Sequence, residues 1–251
     1  MSMSKSAIQR LGKRLQEPDG ATDDALSQLE ELLIDYDDLL SAARGVIDNL
    51  CDALSWPLGV THRLKTTDTL IQKLRRAKEK GESTNLARVQ DIAGIRVSGD
   101  ITLTEQNDLR DMIIEAFTKQ GHTCTMRDRR EEPVVGYRAV HVIVTLGSQY
   151  VEVQIRTTAQ DLWANVFERI ADIFGRDIRY GKDPEIGGQA AKDVIAGMES
   201  MSEELYALEK LADEGVATPG GQEATLEVQK RLDALRRVLR QIETIKGGLP
   251  T

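Results

Sequence analysis

Residues 150–157 alternate apolar and polar side chains, YVEVQIRT, which puts Val151, Val153 and Ile155 on one face of a strand and Glu152, Gln154 and Arg156 on the other. Two more strand-like runs are GIRVSG at 94–99 and RAVHVIVTL at 138–146, and GSQ between the last two runs predicts a short hairpin connection. Elsewhere the apolar spacing is helical. Leu26, Leu29, Leu33, Tyr36, Leu40, Ile47, Leu50 and Leu54 predict a long amphipathic helix, opened by Thr22, Asp23 and Asp24 and broken by SWPLG. Residues 63–80 form a second, basic helical pattern. Leu109, Met112, Ile113, Ala116 and Phe117 mark a third helix stopped by Gly121. Leu162, Trp163, Val166, Phe167, Ile170 and Phe174 mark a fourth, started near residues 158–161 by a capping-box-like TAQD and ended by Gly175. The tail from 189 to 246 predicts two helices around EGVATPGGQE; on the second, Leu232, Leu235, Leu239, Ile242 and Ile245 offer a face for the core or for another copy of the chain.

Strands interleaved with helices predict an α+β fold, a mixed β-sheet flanked by helices, with helical extensions at both ends. The expected organisation is a polar leader over 1–21, a helical segment over 22–57, a central domain over 58–185 and C-terminal helices over 186–251.

Composition narrows the partners. A net charge of −8 argues against broad, non-specific attraction to nucleic acid, while the basic stretch 63–80 leaves room for a local anion site. Cys51 and Cys124 lack metal-ligand spacing and are expected as reduced thiols. No apolar run reaches the length of a signal peptide or a membrane span, so the expected location is the cytoplasm, with no membrane partner.

The polar strand faces carry the candidate chemistry. Arg96 alternates with Ile95 and Val97, and His141 lies on the non-valine face of its strand, so several polar faces converge with the basic helix. Taken singly, each reads equally as solvated surface. Together, Asp91 and Glu152 are candidate hard oxygen ligands for Mg2+, and the lysines and arginines of 63–80 would neutralise a polyphosphate. Two carboxylates held about 4 Å apart repel by roughly 1 to 4 kcal/mol, which favours a shared cation. No glycine-rich phosphate loop is present, so side chains would have to hold the phosphates.

HRLKTTDTLIQKL, VQDIAGIRV, GYRAVHVIV and VEVQIRTTAQDLWA, in this order, resemble the synthetase domain of the RelA/SpoT family over roughly residues 58 to 182. With no metal-dependent hydrolase domain ahead of it, the chain is similar to the small stand-alone synthetases of that family. The resemblance implies a nucleotidyltransferase-like synthetase fold. It also implies transfer of pyrophosphate from ATP to a ribose 3'-hydroxyl of GDP or GTP, giving the alarmones ppGpp and pppGpp together with AMP. On it, Arg63 and Arg96 would stack on the adenine of ATP, and Lys65, Thr69 and Lys73 would meet its phosphates. Asp91 and Glu152 would hold magnesium, with Glu152 also the base for the acceptor hydroxyl. Tyr137 would stack on the acceptor base, and Arg138, His141, Gln154 and Arg156 would shape the acceptor site. Some positions depart from the family: Pro133 and Val135 stand where a Lys and an Asn or Ser usually engage guanosine, and Phe167 and Glu168 stand where Glu-His is common after Trp163-Ala164. Other expectations follow from the same resemblance: a toxin that pyrophosphorylates the 3'-terminal adenosine of tRNA, paired with a neutralising antitoxin, or a non-catalytic nucleotide-sensing module. In the tRNA reading the basic helix, Arg127, Arg129 and Arg130 would form the RNA track. Homo-oligomerisation would use the terminal helices.

Overall fold

The computed structural model describes residues 3–79, 81, 85–215 and 219–247, without the side chains of 219–222, 239 and 241–247. The predicted helices are present as α2 (Asp23–Ala53), α3 (Thr67–Glu79), α4 (Leu103–Lys119), α5 (Thr158–Phe174), α6 (Gly188–Gly215) and α7 (Pro219–Gly247). The predicted strands are β2 (Ala93–Gly99), β4 (Val140–Leu146) and β5 (Gln149–Thr157). Three elements differ from expectation. The polar leader is not a leader throughout: it contains a helix, α1 (Lys5–Leu15), because Ile8, Leu11 and Leu15 make a short apolar stripe that docks in the main core. Arg63 and Leu64 end a strand, β1 (Leu58–Leu64), so the basic helix starts only at Thr67. A further strand, β3 (Thr123–Asp128), has five of six residues exposed or polar and gave no apolar alternation to read.

The five strands form one mixed sheet in the order β1-β2-β5-β4-β3. Only β2 and β5 run parallel; the other pairs are antiparallel. The β4–β5 hairpin turns at Gly147, whose φ of +63° suits glycine.

Register decides what each face carries. Val60, Ile95, Val97, Val140, Val142, Val144, Val151, Val153 and Ile155 lie on one face and pack beneath α2 and α4, in a single core that the apolar stripe of α1 also joins. Burying one such branched side chain is worth about 1.5–3 kcal/mol. A slip of one residue would expose the whole set, so the opposite set is fixed just as firmly. That opposite set pairs Gly94 with Glu152 and Arg96 with Gln154 across β2 and β5, and His141 with Gln154 across β4 and β5.

Thr157 caps α5 directly at the end of β5, and Gln160 closes a capping box. The helix folds back over one end of the polar face, and its outer side joins α6 and α7 in a second core containing Trp163, Phe167, Ile170, Leu205, Leu232 and Leu235. Leu232 and Leu235 are therefore buried within the chain, while the side chains of Leu239, Ile242 and Ile245 lie outside the described residues. No helix among the described residues is long and apolar enough to cross a membrane.

Candidate active site

At the open end of the polar face, Asp91 precedes β2 and faces α3. Lys73 Nζ lies 2.6 Å from Asp91 Oδ1 and Lys65 Nζ 3.3 Å from Oδ2. Burial pushes the Asp91 carboxyl up, but the two ammonium groups outweigh it and hold the group below its ordinary value. Thr69 and Lys73 are four residues apart on α3 and share a face, opposite the buried Leu70 and Leu74. The Thr69 hydroxyl is bonded to Thr66. Arg63 is exposed on β1, opposite Gly94 in register, which makes it the diagonal neighbour of Arg96 at a Cα separation of roughly 7–8 Å.

Towards the middle of the sheet the pattern changes from ion pairs to a line of hydrogen bonds. Arg156, 2% exposed, donates from Nη2 to Tyr137 Oη at 2.9 Å and to Gln154 Oε1 at 2.9 Å. Tyr137 Oη lies 2.9 Å from His141 Nε2, and His141 Nδ1 lies 3.0 Å from Glu152 Oε1. Gln154 Nε2 donates to Glu152 Oε2 at 2.9 Å. Arg156 is a donor only, so Tyr137 Oη accepts from it, and His141 bridges Tyr137 and Glu152 through its two ring nitrogens. Burial alone would raise the Glu152 carboxyl; His141, through its hydrogen bond and its electrostatic attraction, and then the Gln154 hydrogen bond outweigh it and lower the pKa, while the charge of Asp91 acts against them. Glu152 is thus a carboxylate with both oxygens engaged, one by His141 and the other by Gln154.

Among the predicted site residues, Arg63, Lys65, Thr69, Lys73, Asp91, Arg96, Tyr137, His141, Glu152, Gln154 and Arg156 are placed along this face or at its edge. Arg138 is not brought to it. Its Nε donates to Ser202 Oγ at 3.1 Å and its guanidinium lies over the Tyr206 ring, 4.5 Å from the centroid, both on α6. Arg130 is likewise buried, at 7% exposure, bonded to Asp128, Gln106 and Asn107, and does not belong to a surface basic track.

Sequence reasoning missed three residues of α5. Asp161 Oδ1 accepts from Arg156 Nη1 at 3.0 Å and lies 3.4 Å from Arg96 Nη1, and Asn165 Oδ1 accepts from Arg96 at 3.2 Å. Glu168 sits 3.9 Å from Arg96 Nη2. Their spacing of four and three residues put them on one helix stripe, a signal masked by the stronger apolar stripe of Trp163, Val166, Phe167 and Ile170.

Asp91 and Glu152 together suit Mg2+, which takes one or two carboxylates and completes its shell with water and phosphate oxygens. No group of three or more metal-ligating side chains exists among the described residues, so the remaining ligands would come from a nucleotide and solvent.

Residues 62–173 match the family model described as a region found in RelA / SpoT proteins. Residues 62–173 therefore form a region of the RelA/SpoT type. Curated relatives include the uncharacterized proteins Rv1366 of Mycobacterium tuberculosis and Mb1401 of Mycobacterium bovis, each 40% identical over 185 residues, 72% of this chain. The aligned stretch spans 64% of either relative, so this chain covers less than two thirds of their length. Among solved structures, small alarmone synthetase 1 from Bacillus subtilis aligns with a TM-score of 0.53 at 24% identity, over 81% of this chain and 98% of that one. A GTP pyrophosphokinase family protein from Streptococcus pneumoniae aligns with a TM-score of 0.54 at 20% identity, over 82% and 97%. These likenesses show that the chain shares the fold of those two proteins. The family match stops at residue 173, before α6 and α7.

Proposed function

We propose that this chain is an ATP-dependent pyrophosphokinase, which transfers the β,γ-pyrophosphate of ATP to the 3'-hydroxyl of GDP or GTP. The observation that carries the reading is Glu152: an ionised carboxylate at the junction between the Asp91–lysine cluster and the Tyr137–His141 line.

ATP would enter over β1, β2 and α3. Arg63 and Arg96 flank its adenine, and Lys65, Thr69 and Lys73 meet its phosphates, with the lysines moving from Asp91 to phosphate oxygens. The acceptor base would lie on Tyr137, whose ring carries Arg156 at 5.0 Å from its centroid. The acceptor 3'-oxygen attacks the β-phosphorus, the bond from that phosphorus to the α,β-bridging oxygen breaks, and AMP departs with the bridging oxygen. The hydroxyl proton passes to Glu152. A low carboxylate pKa is compatible with this role, because phosphoryl transfer rests mainly on positioning and charge stabilisation. Asp91 and Glu152 are the residues that would hold Mg2+, which when bound offsets charge on the transferred phosphates.

A second reading, transfer to the 3'-terminal adenosine of tRNA, is favoured by one observation. Pro133, Val134 and Val135, beside Tyr137, offer no side-chain hydrogen bond to a guanine. The burial of Arg130 counts against it, since that residue was one of three expected to track RNA. Incubation with γ-labelled ATP and Mg2+, with GDP, GTP and deacylated tRNA in separate reactions, tests both. Label on a guanosine nucleotide is the expected result, label on tRNA selects the second reading, and no AMP release in any reaction overturns both.

A further inference from the structure

The segment that delivers Tyr137 to the site makes a turn of unusual composition. Tyr137 N donates to Val134 O at 3.0 Å, and the two residues between have φ of +51° (Val135) and +79° (Gly136), the pattern of a type I′ turn. Such turns favour Asn-Gly or Gly-Gly. A β-branched residue at positive φ is strained by about 1–3 kcal/mol. Gly136 has no alternative, since a Cβ there would lie 2.8 Å from the Trp163 ring. A Val-Gly pair does not adopt this conformation on local preference, so the surroundings must impose it.

The surroundings are α6. Ser202, 4% exposed, donates its hydroxyl to Gly136 O and accepts from Arg138 Nε. Arg138 in turn donates to Arg130 O and stacks on Tyr206, and Tyr206 Oη donates to Glu131 Oε1 at 2.8 Å. Ser202 and Tyr206 are four residues apart on one face of α6, and between them they hold both ends of the 130–138 segment. Trp163, under Gly136, is itself tied to α6 through its Nε1–H to Met198 O at 2.7 Å.

We propose that Ser202 is a positioning residue for the acceptor half of the site. Without touching a ligand, it holds the strained Val135–Gly136 turn and thereby sets where the Tyr137 ring and hydroxyl are presented. A helix beyond the family-matched region thus controls acceptor geometry. The catalytic consequence rests on the pyrophosphokinase reading; the conformational one does not.

The test uses the full chain and two readouts. In Ser202→Ala, amide hydrogen exchange within 134–138 should accelerate about tenfold, with β2, β5 and α5 unchanged. Adding Val135→Gly, which removes the strain, should restore protection. With whichever acceptor the labelling experiment identifies, the acceptor KM should rise several-fold in Ser202→Ala while the ATP KM stays constant, and the double variant should recover. Unchanged exchange at 134–138 overturns the proposal. So does loosening that spreads equally through α5 and β5, which would make Ser202 a general packing residue. Faster exchange rescued by Val135→Gly, in a chain that turns over no acceptor, supports the positioning role and sinks the pyrophosphokinase reading instead.

Discussion

Asp91 and Glu152 are the two carboxylates of the proposed site, and they sit in contrasting surroundings. The Asp91 side chain is 34% exposed and paired with two lysines, whereas that of Glu152 is 12% exposed and bonded to a histidine and an amide. The donor half is charged, open and balanced internally by ion pairs that phosphates can exchange. The acceptor half is a nearly enclosed line of hydrogen bonds whose members are held by α5 and α6. Ion pairs near water rearrange at small cost, but a buried network with one member displaced leaves polar groups unsatisfied at about 1–3 kcal/mol each. The donor half is therefore suited to reorganising around its ligand, and the acceptor half to being in place beforehand.

Breaking the acceptor half should have the largest effect. Glu152→Gln keeps the shape and a hydrogen-bonding side chain but removes the base, so turnover should fall by about 10²–10⁴-fold with ATP affinity in chelator changed little. Steady-state rates beside calorimetric ATP binding would show it.

In the donor half, ATP without metal must draw Lys65 and Lys73 off Asp91 and leave that carboxylate unpaired, while the metal alone must displace two ammonium groups. Each should bind more tightly in the presence of the other, by about 5- to 150-fold. Asp91→Asn should weaken this synergy and tighten ATP binding in chelator, measured by calorimetry with and without Mg2+.

A smaller effect should come from the support of the acceptor half. Glu209 of α6 accepts from Thr157 Oγ1 and Gln160 at the start of α5, with Arg130 and Arg138 nearby, and burial pushes its pKa up to about 7. A carboxyl raised from 4.5 to about 7 binds its proton in the folded state while the unfolded chain has lost it. Stability should therefore fall as pH rises through that window, by up to about 3 kcal/mol from this group. Glu209→Gln should flatten thermal unfolding between pH 5 and 8 and leave it unchanged near pH 4. The smallest expected effect is that of Val135→Gly alone. Relief of about 1–3 kcal/mol of strain, less about 0.5–1 for glycine entropy, leaves a gain near 1 kcal/mol in chemical denaturation.

The same comparison explains what could be read from the chain. The donor half lies on strong local signals: the basic helix, and the alternation that separates Ile95 and Val97 from Arg96. The floor of the acceptor half was equally legible, because YVEVQIRT fixes by parity that Glu152, Gln154 and Arg156 share a face. Arg138 was assigned to the acceptor site by its place beside Tyr137, and the left-handed turn before it sends its side chain to α6 instead. Ser202, Tyr206 and Glu209 lie more than 60 residues from the residues they hold in the 130–138 segment and about 50 from those they hold on α5, where spacing carries no information. Edge strand β1 was lost because four of its seven residues are glycine or polar, the other three are only half-buried, and its last residues open into a basic stretch that reads as helix.

The most direct test of the account is a single-turnover reaction of γ-labelled ATP, Mg2+ and the accepted nucleotide with wild type and Glu152→Gln. Wild type should form AMP and labelled acceptor in equal amounts, and the variant should form both about 10²–10⁴-fold more slowly although both bind ATP. Product from Glu152→Gln at the wild-type rate, or AMP-free release of label as inorganic phosphate from wild type, would contradict the account.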